Sequence, residues 1–187
     1  MFDEIVRRYA ELIDLITWES IAYTVTIPDS GVLTVEDAVR RLRYDPAVLC
    51  APGEVLPDDL ALQQVGTGVV TWSNNPYDNG KEVTDRLGGK GFRHWYLAGD
   101  IEGNTTIYAR YGDSDGQLDF PEPGWIPFTE WTDHLGPLTP YAELFAIVYD
   151  TEVCTKGTCL AVIELESGVR LGEDLLNGPK VYLPMSK

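Results

Sequence analysis

In "FRHWYLAGDIEGNTTIYARYGDSDGQLDF", residues Phe92–Phe120, apolar and polar side chains alternate in two runs separated by a short glycine-bearing turn. Trp95 and Leu97 alternate with His94, Tyr96 and Ala98. Ile107 and Ala109 alternate with Thr106, Tyr108 and Arg110. Period-two runs joined by a turn such as "EGN" are the signature of an antiparallel hairpin. "DSDG" reads as a second turn, leading to a third strand in "QLDF" near 117–120. The expectation is a three-stranded meander.

Outward from the meander, the pattern changes character. Phe2, Ile5, Val6, Tyr9, Leu12, Ile13 and Ile16 recur at helical spacing, with Asp3 and Glu4 in the first turn where the helix dipole favours acids. "SIAYTVTIP" then switches to period two, predicting a strand near 20–27. Thr34 and Asp37 in "TVEDAVRRL" form an N-cap pattern for a second helix ending near Arg43. "DPAVLCAPGEVLPDD" holds three prolines without periodicity and reads as a surface loop. "GVVTWS" predicts a strand near 69–73, and "GKEVTDRLGGKG" a short helix closed by glycines. After "PEPGWIP", "FTEWTDHL" suggests a helical turn and "TPYAELFAIVYD" a helix with Pro140 at its first position behind Thr139. The segment 160–166 fits strand alternation and helix framing equally, since Thr158 could cap and Gly168 terminate a helix.

The fold class expected is therefore α+β, as a single domain over 1–187. A central antiparallel sheet has strands near 20–27, 69–73, 93–100, 104–111 and 117–120, and helices pack mainly on one face.

The succession "GVLTVEDAVRRL", "VVTW", "YARYGDSDGQLDFPEPGW" and "LAVIELESGVRLGEDLLNGPKVYLP" resembles a widespread actinobacterial domain family of unknown function. That family places a G-L-[ST]-x-E-x-x-x-R-L helix before its sheet and a G-V-R-L-[ST]-x-x-L-L helix near its end. The likeness runs from about Trp18 to Pro184. It departs in the proline loop between Asp45 and Asp59 and in Gly172, where a Ser or Thr cap is usual. The resemblance implies helices for Leu160–Glu166 and Gly172–Leu176 and brings no catalytic residue with it.

At 187 residues one core can bury about 70% of the unfolded chain's surface. No stretch approaches the roughly 20 apolar residues of a membrane-spanning helix, and "MFDEIVRRYAELI" lacks the basic-then-apolar plan of a secretory signal. A soluble, cytoplasmic protein is expected. Cys50, Cys154 and Cys159 form an odd set, read as thiols. Two histidines, His94 and His134, are too few and too far apart for a zinc site. "DSDGQLD" misses the EF-hand pattern because Gly116 comes early and no closing Glu follows. "LGGKGF" misses the P-loop pattern at Thr84 and Gly91. Asp100 and Glu102 flank the first meander turn and read as solvated turn acids. No dinucleotide fingerprint follows a strand, and neither cofactor, metal nor catalytic residue is expected.

Charge carries the functional expectation. A net charge of −16 argues against direct nucleic-acid binding, which relies on Lys and Arg releasing phosphate counterions. Tyr111–Thr155 contains no Lys or Arg but nine acids. Within it, Asp113, Asp115, Asp119, Glu122, Glu130 and Asp133, with Trp125 and Trp131, are the candidate partner-binding residues. Aromatic anchors inside a charged rim would suit a basic protein. The concrete form is an immunity protein neutralising a basic bacterial toxin. Two alternatives stand beside it: a nucleic-acid mimic that sequesters a DNA-binding protein, and a small enzyme with an acidic cleft. A purely solubilising surface is the bland counterpart of all three.

Overall fold

The computed structural model describes residues 2–16, 20–51, 59–73, 80–120, 134–151 and 154–185. Helix α1 (Phe2–Ile16) is followed by strand β1 (Ile21–Pro28) and helix α2 (Val35–Arg41). Strands β2 (Leu60–Val65) and β3 (Gly68–Ser73) precede helix α3 (Gly80–Leu87). Then come β4 (Phe92–Gly99), β5 (Thr105–Tyr111) and β6 (Ser114–Phe120). Helices α4 (Ala142–Thr151), α5 (Thr155–Ser167) and α6 (Glu173–Asn177) precede the short strand β7 (Val181–Leu183). The seven strands form one antiparallel sheet in the order β6-β5-β4-β1-β3-β2-β7, an α+β architecture as expected.

The register sorts the strand residues into two faces. Tyr23 pairs with Leu97 and Val25 with Trp95, while Leu97 pairs with Ile107 and Ile107 with Leu118, so these side chains share one face. They join Val6 and Tyr9 of α1, Phe145 of α4 and Leu160–Ile163 of α5 in the larger core. Trp95 is completely buried and donates from Nε1 to Tyr111 Oη at 3.1 Å. Helix α5 is tied to this side by two carboxylates: Glu164 accepts from Arg8 and Tyr9, and Glu166 from Tyr111 and Tyr141.

The second face is divided. Toward β2 and β7 it is apolar: Leu60, Leu62, Val69 and Leu183 pack under Ala38, Val39 and Leu42 of α2 and Val83 and Leu87 of α3. Toward β4–β6 it carries His94, Tyr96, Thr106, Tyr108, Arg110, Asp115, Gln117 and Asp119. The longer helices thus take one face, as expected, and two short ones take part of the other.

Several boundaries follow from local chemistry. Thr34 caps α2 by accepting from Asp37 N at 3.1 Å. In α5 the cap is Cys154, whose Sγ accepts from Gly157 N, rather than Thr158; Gly168 ends the helix in the left-handed region at φ 71°. Helix therefore wins for 160–166, because capped ends and burial on every side from Gly157 to Ile163 make this a core helix that periodicity cannot separate from a strand. Helix α4 starts at Ala142, since Gly136–Tyr141 forms a 3-10 turn containing Pro140.

The second meander turn differs from its sequence reading. Tyr111 pairs with Ser114, leaving Gly112 and Asp113 as a two-residue loop in which Gly112 adopts φ 61°. Asp113 does not share that positive φ, so the turn is of the glycine-first II′ kind. Gly116 serves close packing instead, because a Cβ there would collide with the carbonyl of Leu135, where the 134–136 backbone crosses β6. "DSDG" is thus strand from Ser114 onward, and β6 starts three residues earlier than expected. Strands β2 and β7 have no counterpart among the expected strands. β7 is only three residues long, and β2 alternates poorly because both its faces are covered at Leu60–Leu62.

Candidate functional site

Because β6 begins at Ser114, Asp115, Gln117 and Asp119 lie at alternate positions on the second face of an edge strand. Asp113 sits beside them in the turn. Tyr108 donates to Asp115 Oδ2 at 3.3 Å. Thr106 donates to Asp119 Oδ1 at 2.5 Å, and Gln117 Nε2 reaches both Asp119 oxygens at 3.0 and 2.8 Å. The carboxylates are therefore oriented by neutral donors across the β5–β6 pair and along β6. Burial, reinforced by the charge of Asp115, pushes the Tyr108 phenol up to about 12.

An open groove of about 480 Å³ runs along this strip, lined by Tyr108, Asp115, Gly116, Gln117, Asp119, His134 and Gly136. The tertiary fold also adds a cation that the linear charge window excludes. Arg110 pairs directly opposite Asp115 and donates from Nε to Gly112 O at 3.1 Å. Part of the acidity is thus offset across the strands, leaving Asp113 and Asp119 without a basic residue directly opposite.

Of the residues proposed from sequence, Asp115 and Asp119 come together on one face and Asp113 lies at its end. Glu122, Trp125, Glu130, Trp131 and Asp133 lie outside the described residues, as do Trp18 and most of "FTEWTDHL". Gln117, Tyr108 and Thr106, which orient the carboxylates, do not stand out in the sequence. Their signal is present in strand alternation, but it depends on placing the turn at Gly112. His134, which in sequence is one of two scattered histidines, lines the groove.

Asp100 corrects the reading of solvated turn acids. It is only 8% exposed; its Oδ1 accepts from Glu102 N and Asn104 N at 3.0 and 2.9 Å, and its Oδ2 from Asn104 Nδ2 at 2.7 Å. An Asx-type carboxylate that satisfies three donors is a structural fastener of the β4–β5 turn. Glu102 is exposed. His94 is wholly buried, with Nδ1 2.8 Å from Thr26 Oγ1.

Elsewhere, a groove of about 460 Å³ lies between α1 and the start of α6, lined by Arg8, Leu12, Leu15, Arg170 and acids from both segments. Cys159 is buried with its thiol pushed up by desolvation, and Cys154 is engaged as a cap. Among the described residues no three His, Cys, Asp or Glu side chains gather as a metal-ligand group, and no helix is long and apolar enough to cross a membrane. Comparison with protein-family models, curated proteins and solved structures finds no match to this chain.

Proposed function

We propose that this chain is an acidic binding domain for a basic protein, acting as an immunity protein that neutralises a basic bacterial toxin. The observation that carries the reading is the placement of Asp115 and Asp119 on one face of edge strand β6, with Gln117 between them and Asp113 in the turn at its end. All three carboxylates fall within a segment of nine acids and no Lys or Arg. A strand edge with oriented carboxylates and an adjoining groove suits guanidinium and ammonium groups on a partner. Tyr108 supplies an amphipathic ring beside them. The reading extends to localisation in the cytoplasm, where such a partner would be met, and to kinship with the actinobacterial family suggested by the order of sequence motifs.

The test is protection. Co-expression with the toxin encoded by a neighbouring reading frame should be tolerated with the wild-type chain and lethal with Asp113, Asp115 and Asp119 all replaced by Lys. Association should slow with rising salt and slow further in the triple variant, because rim charges act mainly on the on-rate. Protection that survives the triple reversal, or association indifferent to salt, would remove the reading.

A second reading draws on the groove itself. Two carboxylates, a phenol and an imidazole along one cleft also fit a small enzyme acting on a cationic substrate. Isosteric Asp115→Asn and Asp119→Asn changes separate the two. A binding face should lose affinity by degrees, and a catalytic pair should lose turnover by orders of magnitude.

A further inference from the structure

The polar half of the second face contains one group that neither reading uses. His94 projects from β4 toward the underside of α3 and is fully shielded from solvent. Its Nδ1 is engaged with Thr26 of β1, while Nε2 has no hydrogen-bond partner among the described residues. Thr84, on the inner side of α3 and also buried, has its hydroxyl in the same condition.

The surroundings are cationic. Arg41 of α2 donates to the carbonyls of Leu87 and Gly88 at 3.2 and 3.0 Å, and its guanidinium stacks 4.0 Å from the Phe92 ring centroid. A Cβ at Gly88 would sit 3.3 Å from Arg110 Cδ and 3.5 Å from His94 Cβ, so the end of α3, Arg110 and the imidazole are in close contact. From β1 the facing group is the neutral Thr26. From β5 the facing groups are Arg110 and, one position along the same face, Tyr108. From α3 the inward residues Val83, Thr84 and Leu87 are uncharged, and Glu82 and Arg86 pair with each other. Asp85 and Lys90, beyond them, are exposed. The charges acting on the imidazole are thus those of Arg110 and Arg41, both positive.

We infer that His94 is an acid-sensitive latch for the α2–α3 layer: protonating it adds a third cation beside Arg41 and Arg110 and releases α3 from the sheet, while the larger core stays closed. The opening is local because the two layers are held unequally. Among the described residues, the α2–α3 cluster contains fewer than half as many buried apolar residues as the core on the other face, and of α3 only Val83 and Leu87 belong to it.

Linkage fixes the pH window. Burial, then Arg110, then Arg41 lower the imidazole from its ordinary 6.5 to about 3 in the closed form. The open form binds a proton below about 6.5 and the closed form does not, so closure weakens as pH falls through that value and the effect levels off near 3. Each pH unit in that window multiplies the open fraction about tenfold.

Hydrogen exchange of the intact chain tests this. At pH 7.5, 6.0 and 5.0, corrected for intrinsic exchange, α3 amides should open about 30-fold more at pH 5.0 than at 7.5. The α5 amides should not follow, and His94→Gln should abolish the response. The same pH dependence in His94→Gln, or α5 opening in step with α3, overturns the latch. Should that variant fail to fold, imidazole NMR of the wild-type protein decides. A His94 ring still neutral at pH 5 supports the proposal, and one titrating near 6.5 like a solvated histidine overturns it.

Discussion

The two halves of the second sheet face are built from the same sheet and differ in almost everything else. Under α2 and α3, Leu60, Leu62, Val69 and Leu183 are at most 2% exposed and interlock with helix side chains. Over β5 and β6, Thr106, Tyr108, Arg110, Asp115, Gln117 and Asp119 form hydrogen bonds with one another and with nearby backbone, and Tyr108, Asp115, Gln117 and Asp119 border an open groove. A sheet face must be covered where its side chains are apolar, and it can stay available where polar side chains satisfy each other. The division separates the part of this face that packs under helices from the part that, among the described residues, borders an open groove.

Mutations can break or sharpen that contrast. Trp95→Ala, in the larger core, should cost about 3–5 kcal/mol, because the ring is wholly buried and loses its bond to Tyr111 as well. Leu62→Ala, in the apolar half of the second face, should cost about 2–4 kcal/mol by the same cavity mechanism. Urea unfolding measures both, and a near-zero cost at Leu62 would show that α2 and α3 do not pack as described.

Asp100→Asn should cost about 1 kcal/mol. An amide can keep one acceptor for the two backbone N–H groups, but it sets a second NH₂ against that of Asn104. A thermal-melt comparison with Glu102→Gln, expected to be neutral, isolates the effect. The smallest change belongs to the open strip: Gln117→Ala, at an exposed position, should alter stability by less than about 0.5 kcal/mol. A larger loss by the same melt would mean that the strip carries the fold as well as bordering the groove.

The parts legible in advance are those written by local chemistry. The 3.6-residue period of Phe2–Ile16, the Thr34 cap and the alternation around Trp95 and Ile107 each specify an element from a few neighbouring residues. The candidate site is only half legible. Asp113, Asp115 and Asp119 stand out by charge, but their geometry depends on which glycine makes the turn. Gly112 and Gly116 are equally capable of a positive φ, and only the crossing of the 134–136 backbone over β6 claims Gly116 for close packing.

The sequence by itself determined the α+β class, the meander and the concentration of acids after Tyr111, because periodicity and charge are properties of neighbouring residues. Tertiary structure alone decided the rest. It added β2 and β7 to the sheet, since β7 finds its pairing partner far away in the chain and β2 lies between it and β3. It made Asp100 a buried fastener and His94 a buried neutral ring, since burial is set by what packs above a residue. It also set Arg110 opposite Asp115, because strand register, fixed by the turn at Gly112, decides which charges face each other.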